Sequence, residues 1–263
     1  MVSTASPAQI LLGARHVSKS FGGLAAVSDF TVDLNENEIV GLIGPNGAGK
    51  TTVFNLLTGV YKPDKGSIEL LGQNLLPLSP DRVTCAGMAR TFQNIRLFKE
   101  MTVVENVKVG FQPHIRSGLL TSVIRGPKFH NEEKSIDERA RELLKLLGLG
   151  DDAERLSRNL PYGKQRKLEI ARALATRPRV LLLDEPAAGM NESESAALKD
   201  LLLQVREQFK LTLLVIEHHM PFVMGLVSRL LVLDHGCTIA QGTPQEIRCN
   251  PAVIEAYLGK DEK

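Results

Sequence analysis

The chain has 263 residues, 43% hydrophobic and 24% charged, a composition that excludes disordered and fibrous classes and suffices for one large or two smaller buried cores. Its 32 basic and 30 acidic residues leave a formal charge of +2, so no global field points to nucleic acid or a membrane surface. Aromatics at 5%, with no Trp, argue against base-stacking platforms. Cys85, Cys237 and Cys249 are odd in number and share no metal-ligand spacing, which predicts free thiols in a reducing compartment.

In chain order, residues 10–43 read as strands: ILLGARHV and AAVSDFTVDL are rich in branched residues, and Phe21-Gly22-Gly23 punctuates them. Residues 38–43 run into GPNGAGKTT, and the VFNLLTG behind it has helical character. Ser79-Pro80-Asp81 predicts a helix start with Pro at the first position. Residues 88–92 read as a strand. Thr102 and Glu105 form a capping box for a short helix. The stripe Ile136, Ala140, Leu143, Leu144, Leu147 predicts a helix ended by Gly148, and residues 163–175 read as another. Residues 180–183 are a four-residue apolar run, the mark of a buried parallel strand. Asn191 and Glu194 cap a helix with Ala197, Leu198, Leu201, Leu202 and Val205 on one face. A buried strand over 211–216, two strands near 229–242 and two terminal helices, opening at Thr243-Pro244 and Asn250-Pro251, complete the chain.

Strands and helices alternate from residue 38 onward. That predicts an α/β fold with a parallel-sheet core and an antiparallel β subdomain on the N-terminal side. The helices across 102–176 have no strand among them and read as a helical subdomain inserted into the core. Within it, residues 111–135 have poor periodicity with Pro, Gly and charges, and read as a long irregular insert. Its charges read as a solvated face, with a partner-contact surface as the other option. No transmembrane segment is expected: the apolar stretch 211–233 is broken by Glu217, His218, His219, Pro221 and Arg229. The N-terminus has no basic region preceding an apolar run of signal-peptide length.

The strongest motif is Gly44-Pro45-Asn46-Gly47-Ala48-Gly49-Lys50-Thr51, followed by Thr52. Its glycines let backbone N–H groups turn inward around phosphates, the following helix adds its positive end, Lys50 can reach the β- and γ-phosphates, and the Thr51 hydroxyl can bind Mg²⁺. Val180-Leu181-Leu182-Leu183-Asp184-Glu185 is second. A carboxylate at the end of a buried parallel strand lies beside such a loop; Asp184 would hold Mg²⁺ and Glu185 could polarise an attacking water. The chain has no N-K-x-D base-reading motif. Gln93, His218 and Phe21 have plain readings as a surface glutamine, a structural histidine and a hairpin aromatic.

Taken in order, Phe21, the phosphate loop, Gln93, Leu160-Pro161-Tyr162-Gly163-Lys164-Gln165-Arg166, Leu-Leu-Leu-Asp-Glu and His218 resemble the nucleotide-binding subunit of ABC transporters over residues 15–258. Thr91 to Phe98 (TFQNIRLF), Leu160-Pro161-Tyr162-Gly163, Leu168 to Arg172 (LEIAR), Glu185 to Gly189 (EPAAG) and Asn250 to Gly259 (NPAVIEAYLG) look most like the LivG-type ATPases of branched-chain amino-acid importers. The resemblance implies one ABC ATPase domain over residues 10–258, with ATP and Mg²⁺ as cofactors. It implies that Phe21 stacks on adenine, with Ala26 at the ring. It further implies that Gln93 ligates Mg²⁺ and senses the γ-phosphate, and that His218 contacts that phosphate. The signature aligning with Leu160, Pro161, Tyr162, Gly163 and Lys164 would bind the ATP of a second protomer. Pro161 stands where the family has a hydroxyl donor, which leaves only backbone N–H groups and the helix end for that contact.

The partners so implied are a second ATP-binding subunit, identical or different, two membrane permeases and, indirectly, a solute-binding protein. No nucleic acid is expected, and the location would be peripheral, on the cytoplasmic face of the inner or plasma membrane. Residues 94–104 carry Ile95, Leu97, Phe98 and Met101 in what reads as a surface loop. They form a permease groove if exposed, or core if they pack inside the helical subdomain. A lipid or lipopolysaccharide exporter ATPase, a non-transport ABC protein and a P-loop small-molecule kinase remain as alternatives.

Overall fold

The computed structural model describes residues 10–114 and 127–258. The chain divides into two compact units, one of residues 91–178 and the other of the chain on either side of it.

In the larger unit, β1 (Ile10–Phe21), β2 (Leu24–Asn35), β4 (Lys65–Leu70) and β5 (Gln73–Asn74) form an antiparallel sheet in the order β2-β1-β4-β5. The second sheet contains β3 (Ile39–Ile43), β6 (Met88–Arg90), β7 (Val180–Asp184), β8 (Thr212–Ile216), β9 (Arg229–Asp234) and β10 (Cys237–Gly242). Its order is β10-β9-β3-β8-β7-β6, parallel throughout except for the β9–β10 pair. Every residue of β3, β7 and β8 is buried. This is why IVGLI, VLLLD and TLLVI are near-continuous apolar runs rather than alternating ones: both faces of the sheet are covered. One core of buried side chains joins the two sheets with α1 (Lys50–Leu57), through Phe30, Leu34, Leu42, Phe54, Leu57, Ile68 and Leu182 among others.

The strand order decides where function can sit. β3, β8 and β7 are neighbours and parallel, so the segments leaving their carboxyl ends emerge at one edge. Those segments begin at Gly44, Glu217 and Glu185. The remaining helices of this unit are α2 (Pro80–Cys85), α6 (Glu192–Phe209), α7 (Met220–Met224), α8 (Pro244–Arg248) and α9 (Pro251–Leu258). The expected cap forms at Asn191/Glu194, and a capping box also forms at Thr243/Glu246. All three cysteines are free and exposed.

The unit of residues 91–178 is helical: α3 (Val103–Gly110), α4 (Pro127–Leu146) and α5 (Tyr162–Ala175). The Thr102/Glu105 box caps α3. Gly110 lets α3 approach α5, since a Cβ there would overlap the Arg172 carbonyl oxygen. The buried Asn106 side chain pins the loop before α3: its Oδ1 accepts from Phe98 N at 2.9 Å and its Nδ2 donates to Phe98 O at 3.0 Å and Thr102 O at 2.9 Å.

The irregular reading of residues 111–135 fails over 127–135, which are the first turns of α4; residues 115–126 lie outside the described residues. Pro127 opens the helix where a missing N–H is harmless. The Glu- and Lys-rich stretch behind it needs no apolar stripe, because those residues have high helix propensity and form spaced pairs such as Lys134–Glu138 at 4.0 Å. Among the described residues, no helix is long and apolar enough to cross a membrane.

Candidate functional site

The loop 44–49 is shaped by what it squeezes between. A Cβ at Gly44 would overlap the Leu233 carbonyl oxygen, and one at Gly49 the Ala26 carbonyl oxygen; both residues also have positive φ, at 150° and 102°. The loop is tied down by Gly236 N donating to Ala48 O at 2.9 Å and Ser28 N donating to Gly236 O at 2.8 Å. Asn46 and Gly47 stand exposed at the tip, with Pro45 half-buried and Ala48 buried. Gly49 is the N-cap of α1 and offers no side-chain cap, so the N–H groups of Lys50, Thr51 and Thr52 remain to meet an anion. Lys50 Nζ donates to Gly44 O at 2.7 Å and Pro45 O at 2.8 Å, which holds the ammonium over the loop. Burial pushes its pKa below the ordinary lysine value, while the charges of Glu185 and Asp184 pull it back up.

Those carboxylates come from the end of β7. The Asp184 side chain is 4% exposed and pairs with Arg90 Nη2 at 2.7 Å. Arg90, at the end of β6, also donates from Nη1 to Asn55 Oδ1 on α1 at 2.6 Å, and its guanidinium lies 5.3 Å from the Phe54 ring centroid. One arginine therefore joins the phosphate-loop helix to the metal-site candidate. Asp184 and the Thr51 hydroxyl are hard oxygen donors, the type Mg²⁺ takes together with phosphate oxygens and water. Glu185 follows with φ 47°, a left-handed backbone that costs energy in a non-glycine residue and is found at functional positions. Its N–H donates to Ile216 O at 2.9 Å. Its Oε1 lies 3.7 Å from Nδ1 of the largely exposed His218.

Glu217 is buried directly after β8. Its Oε1 accepts from Ala187 N at 2.8 Å and its Oε2 from His218 N at 3.0 Å and His219 N at 3.2 Å. This carboxylate fastens the loop behind Glu185 to the segment carrying His218. Phe21 ends β1, half exposed, and meets Tyr61 edge-on with ring centroids 5.1 Å apart. Ala26 lies against the phosphate loop through its carbonyl. From the terminal helix α9, the Tyr257 phenol meets the Gly44 backbone N–H; burial raises its pKa and that N–H lowers it.

The remaining candidates lie in the helical unit. Leu160 is buried and Pro161 is the N-cap of α5 without a side-chain cap bond, since its side chain has no polar atom. Tyr162 is exposed and Gly163 half-buried in the first turn. Lys164 Nζ donates to Asp152 Oδ2 at 2.6 Å. Lys164, then Arg155, holds that carboxyl below its usual range. Arg166 and Glu169, one turn apart and 0% and 1% exposed, pair at 2.9 Å. Arg166 also donates to Phe92 O at 2.6 Å, Gln93 O at 2.8 Å and Tyr162 Oη at 3.1 Å, and Glu169 Oε1 accepts from Phe92 N at 3.2 Å. The Gln93 backbone is thus clamped by α5 while the residue itself is exposed. Phe98 and Met101 are exposed, at 47% and 38%. Ile95 and Leu97 line a concavity of about 140 Å³ with Lys99, Ser157, Arg158 and Gln165.

Sequence reasoning missed Arg90, Glu217, Tyr61, Tyr257 and the Arg166–Glu169 pair. Two had a local signal: Glu217 is a carboxylate immediately after a buried apolar run, and Arg166 and Glu169 are opposite charges at i, i+3 on a helix with apolar neighbours.

The family model described as ABC transporter matches residues 27–188, and one described as branched-chain amino acid ATP-binding cassette transporter matches residues 237–263. The chain is 47% identical over 252 residues to a Salmonella typhimurium protein named high-affinity branched-chain amino acid transport ATP-binding protein LivG, covering 96% of this chain and 99% of that one. It is 46% identical over 240 residues to the Pseudomonas aeruginosa protein of the same description named BraF, covering 91% and 94%. Among solved structures, the ADP conformation of an ATP-binding cassette of an ABC transporter is similar with TM-score 0.83 and 30% identity, covering 96% of this chain and all of that one. A nucleotide-free cassette is similar with TM-score 0.83 and 29% identity over the same shares.

Replacing Arg90 with Met strands Asp184 as a buried charge without its guanidinium. The variant is expected to lose about 3–5 kcal/mol of stability, read as a lower urea midpoint, and a midpoint within about 0.5 kcal/mol of wild type would show that the pair carries no such weight.

Proposed function

The chain belongs to the ABC transporter family, and from that premise we propose that it is the ATP-hydrolysing subunit of an importer of branched-chain amino acids. The observation that carries ATP hydrolysis is the meeting of loop 44–51, Asp184–Glu185 and Glu217–His218 at the ends of three adjacent parallel strands. The substrate class rests on the LivG and BraF relatives and on the match of residues 237–263.

In this reading the adenine stacks on Phe21 and the triphosphate lies in the loop from Gly44 to Thr52, met by backbone N–H groups and the Lys50 ammonium. Thr51 and Asp184 would hold Mg²⁺, with Gln93 as a further ligand by the family resemblance, and the ion would supply positive charge against the phosphates. Glu185 orients the attacking water and takes its proton. His218, whose backbone Glu217 holds, contacts the γ-phosphate. Glu185 follows the last residue of the buried strand β7 with a strained backbone and a carboxylate near His218. Donors fixed before the reaction stabilise the charge on the transferring phosphoryl group without reorganising.

The segment 160–164 of a second ATP-binding subunit covers the nucleotide. Two permeases then receive the motion of closure at the apolar concavity of Ile95 and Leu97, and a solute-binding protein delivers the amino acid. The assembly places the chain peripherally on the cytoplasmic face of the membrane. Closure does work only because ATP and its products favour different states.

Lys50→Ala removes a charge-assisted contact of about 1.5–3 kcal/mol. Mg·ATP affinity should fall roughly 10- to 150-fold in a calorimetric titration; undiminished affinity would move the phosphate site elsewhere.

Glu185→Gln keeps shape and hydrogen bonding but loses the base. It should bind Mg·ATP, accumulate closed dimers and turn over about 10²- to 10⁴-fold more slowly. A variant that hydrolyses ATP at the wild-type rate takes Glu185 out of the chemical step.

Leu97→Asp or Phe98→Asp should abolish uptake by the reconstituted transporter, while thermal stability and nucleotide affinity stay near wild type. Normal uptake, or unfolding of both variants, would place the permease contact on another surface.

A further inference from the structure

We propose that Tyr61 is a positioning residue for the nucleotide base: it sets the ring plane of Phe21, on which the base stacks. The inference deepens the function proposed above and rests on its assignment of the base to Phe21.

Two aromatic rings stand together at the surface, Phe21 43% and Tyr61 37% exposed. Their centroids are 5.1 Å apart and their planes meet at 69°. Neither is held by complete burial. The attraction between the positive edge of one ring and the negative face of the other favours this tilted, edge-to-face arrangement. A lone exposed Phe at the end of a strand samples several ring orientations, and each stacked base must then select one, at a cost in entropy. A neighbour that selects the orientation beforehand removes that cost.

The segment carrying Tyr61 is built to hold this geometry. Asp64 grips the end of β1 three ways. Its Oδ1 accepts from Lys19 Nζ at 2.7 Å, its Oδ2 from Ser20 N at 2.8 Å, and its own N–H donates to Ser18 O at 2.8 Å. The Lys19 ammonium so placed is 5.7 Å from the Phe21 ring centroid. Lys62 Nζ donates to the carbonyls of Leu76 and Leu78, both at 2.5 Å. At its other end, Tyr61 N donates to Asn55 O at 3.0 Å. Asn55 lies on α1, the helix whose first residues are Lys50 and Thr51. The base platform and the phosphate donors are therefore fastened to one helix, and the span between them is set by that helix rather than by a flexible loop.

The test is equilibrium affinity for Mg·ATP and for Mg·tripolyphosphate, which has the phosphates but no base, measured on the full chain. The variants are Tyr61→Ala, Tyr61→Phe, Phe21→Ala and the Phe21→Ala/Tyr61→Ala double. Tyr61→Ala is expected to weaken ATP binding about 3- to 10-fold with tripolyphosphate affinity unchanged. Tyr61→Phe, which keeps the ring, should restore ATP affinity. The double variant should bind ATP no more weakly than Phe21→Ala alone, because Tyr61 acts through Phe21. The proposal is overturned if Tyr61→Ala binds ATP like wild type, if it loses tripolyphosphate affinity equally, or if the two losses multiply. If Phe21→Ala itself leaves ATP affinity unchanged, the base does not sit on Phe21 and the underlying assignment fails, whatever Tyr61 does.

Discussion

A carboxylate at the end of a strand buried on both faces must be answered by a cation, and Arg90 answers Asp184 at 2.7 Å with both side chains under 10% exposed. Much of the nucleotide-binding unit depends on that pair. Arg90 stands on the neighbouring strand β6, so the parallel pairing of β6 with β7 sets the reach of its guanidinium. Its second donor holds Asn55 on α1, which ties the helix behind the phosphate loop to the strand that supplies the carboxylates. Such pairs add little stability over an apolar substitute but permit one arrangement only. For a nucleotide-binding site, which must place its groups to within a fraction of an ångström, that restriction is the useful property.

The helical unit contains the same device in another form. Arg166 and Glu169 are fully buried in α5, and their remaining hydrogen-bonding capacity is used on the backbone of Phe92 and Gln93. The helix that begins at the Pro161–Lys164 segment thus holds the strip of chain bearing Gln93. Its N-cap, Pro161, makes no side-chain cap bond. The larger unit's phosphate loop shows the matching feature at Gly49.

Glu217 resolves a different problem. The backbone groups beyond the ends of β7 and β8 cannot continue in the sheet and need other partners. One buried carboxylate accepting three N–H groups at Ala187, His218 and His219 closes that account and fixes the mutual position of the two segments. The positive φ at Glu185 persists because the structure around it is so constrained.

Many of the elements were legible in the chain, because buried strands and capped helices are local patterns: the apolar runs IVGLI, VLLLD and TLLVI, the caps at Thr102 and Asn191, and the Gly-Lys-Thr turn all appear where expected; the strands Lys65–Leu70 and Gln73–Asn74 were not among the expected elements. The helical character of 127–135 was not, since polar residues form a helix without a stripe to betray it. The sequence by itself determined the candidate groups: a phosphate loop, a paired Asp184–Glu185 and a Gln93, His218 and Phe21 in family order. Only the tertiary structure decided how they are held. Arg90 meets Asp184 across 94 residues and Asn55 across 35, and Glu217 meets Ala187 across 30. Periodicity reaches a turn or a strand, while partners this far apart are chosen by strand order and packing.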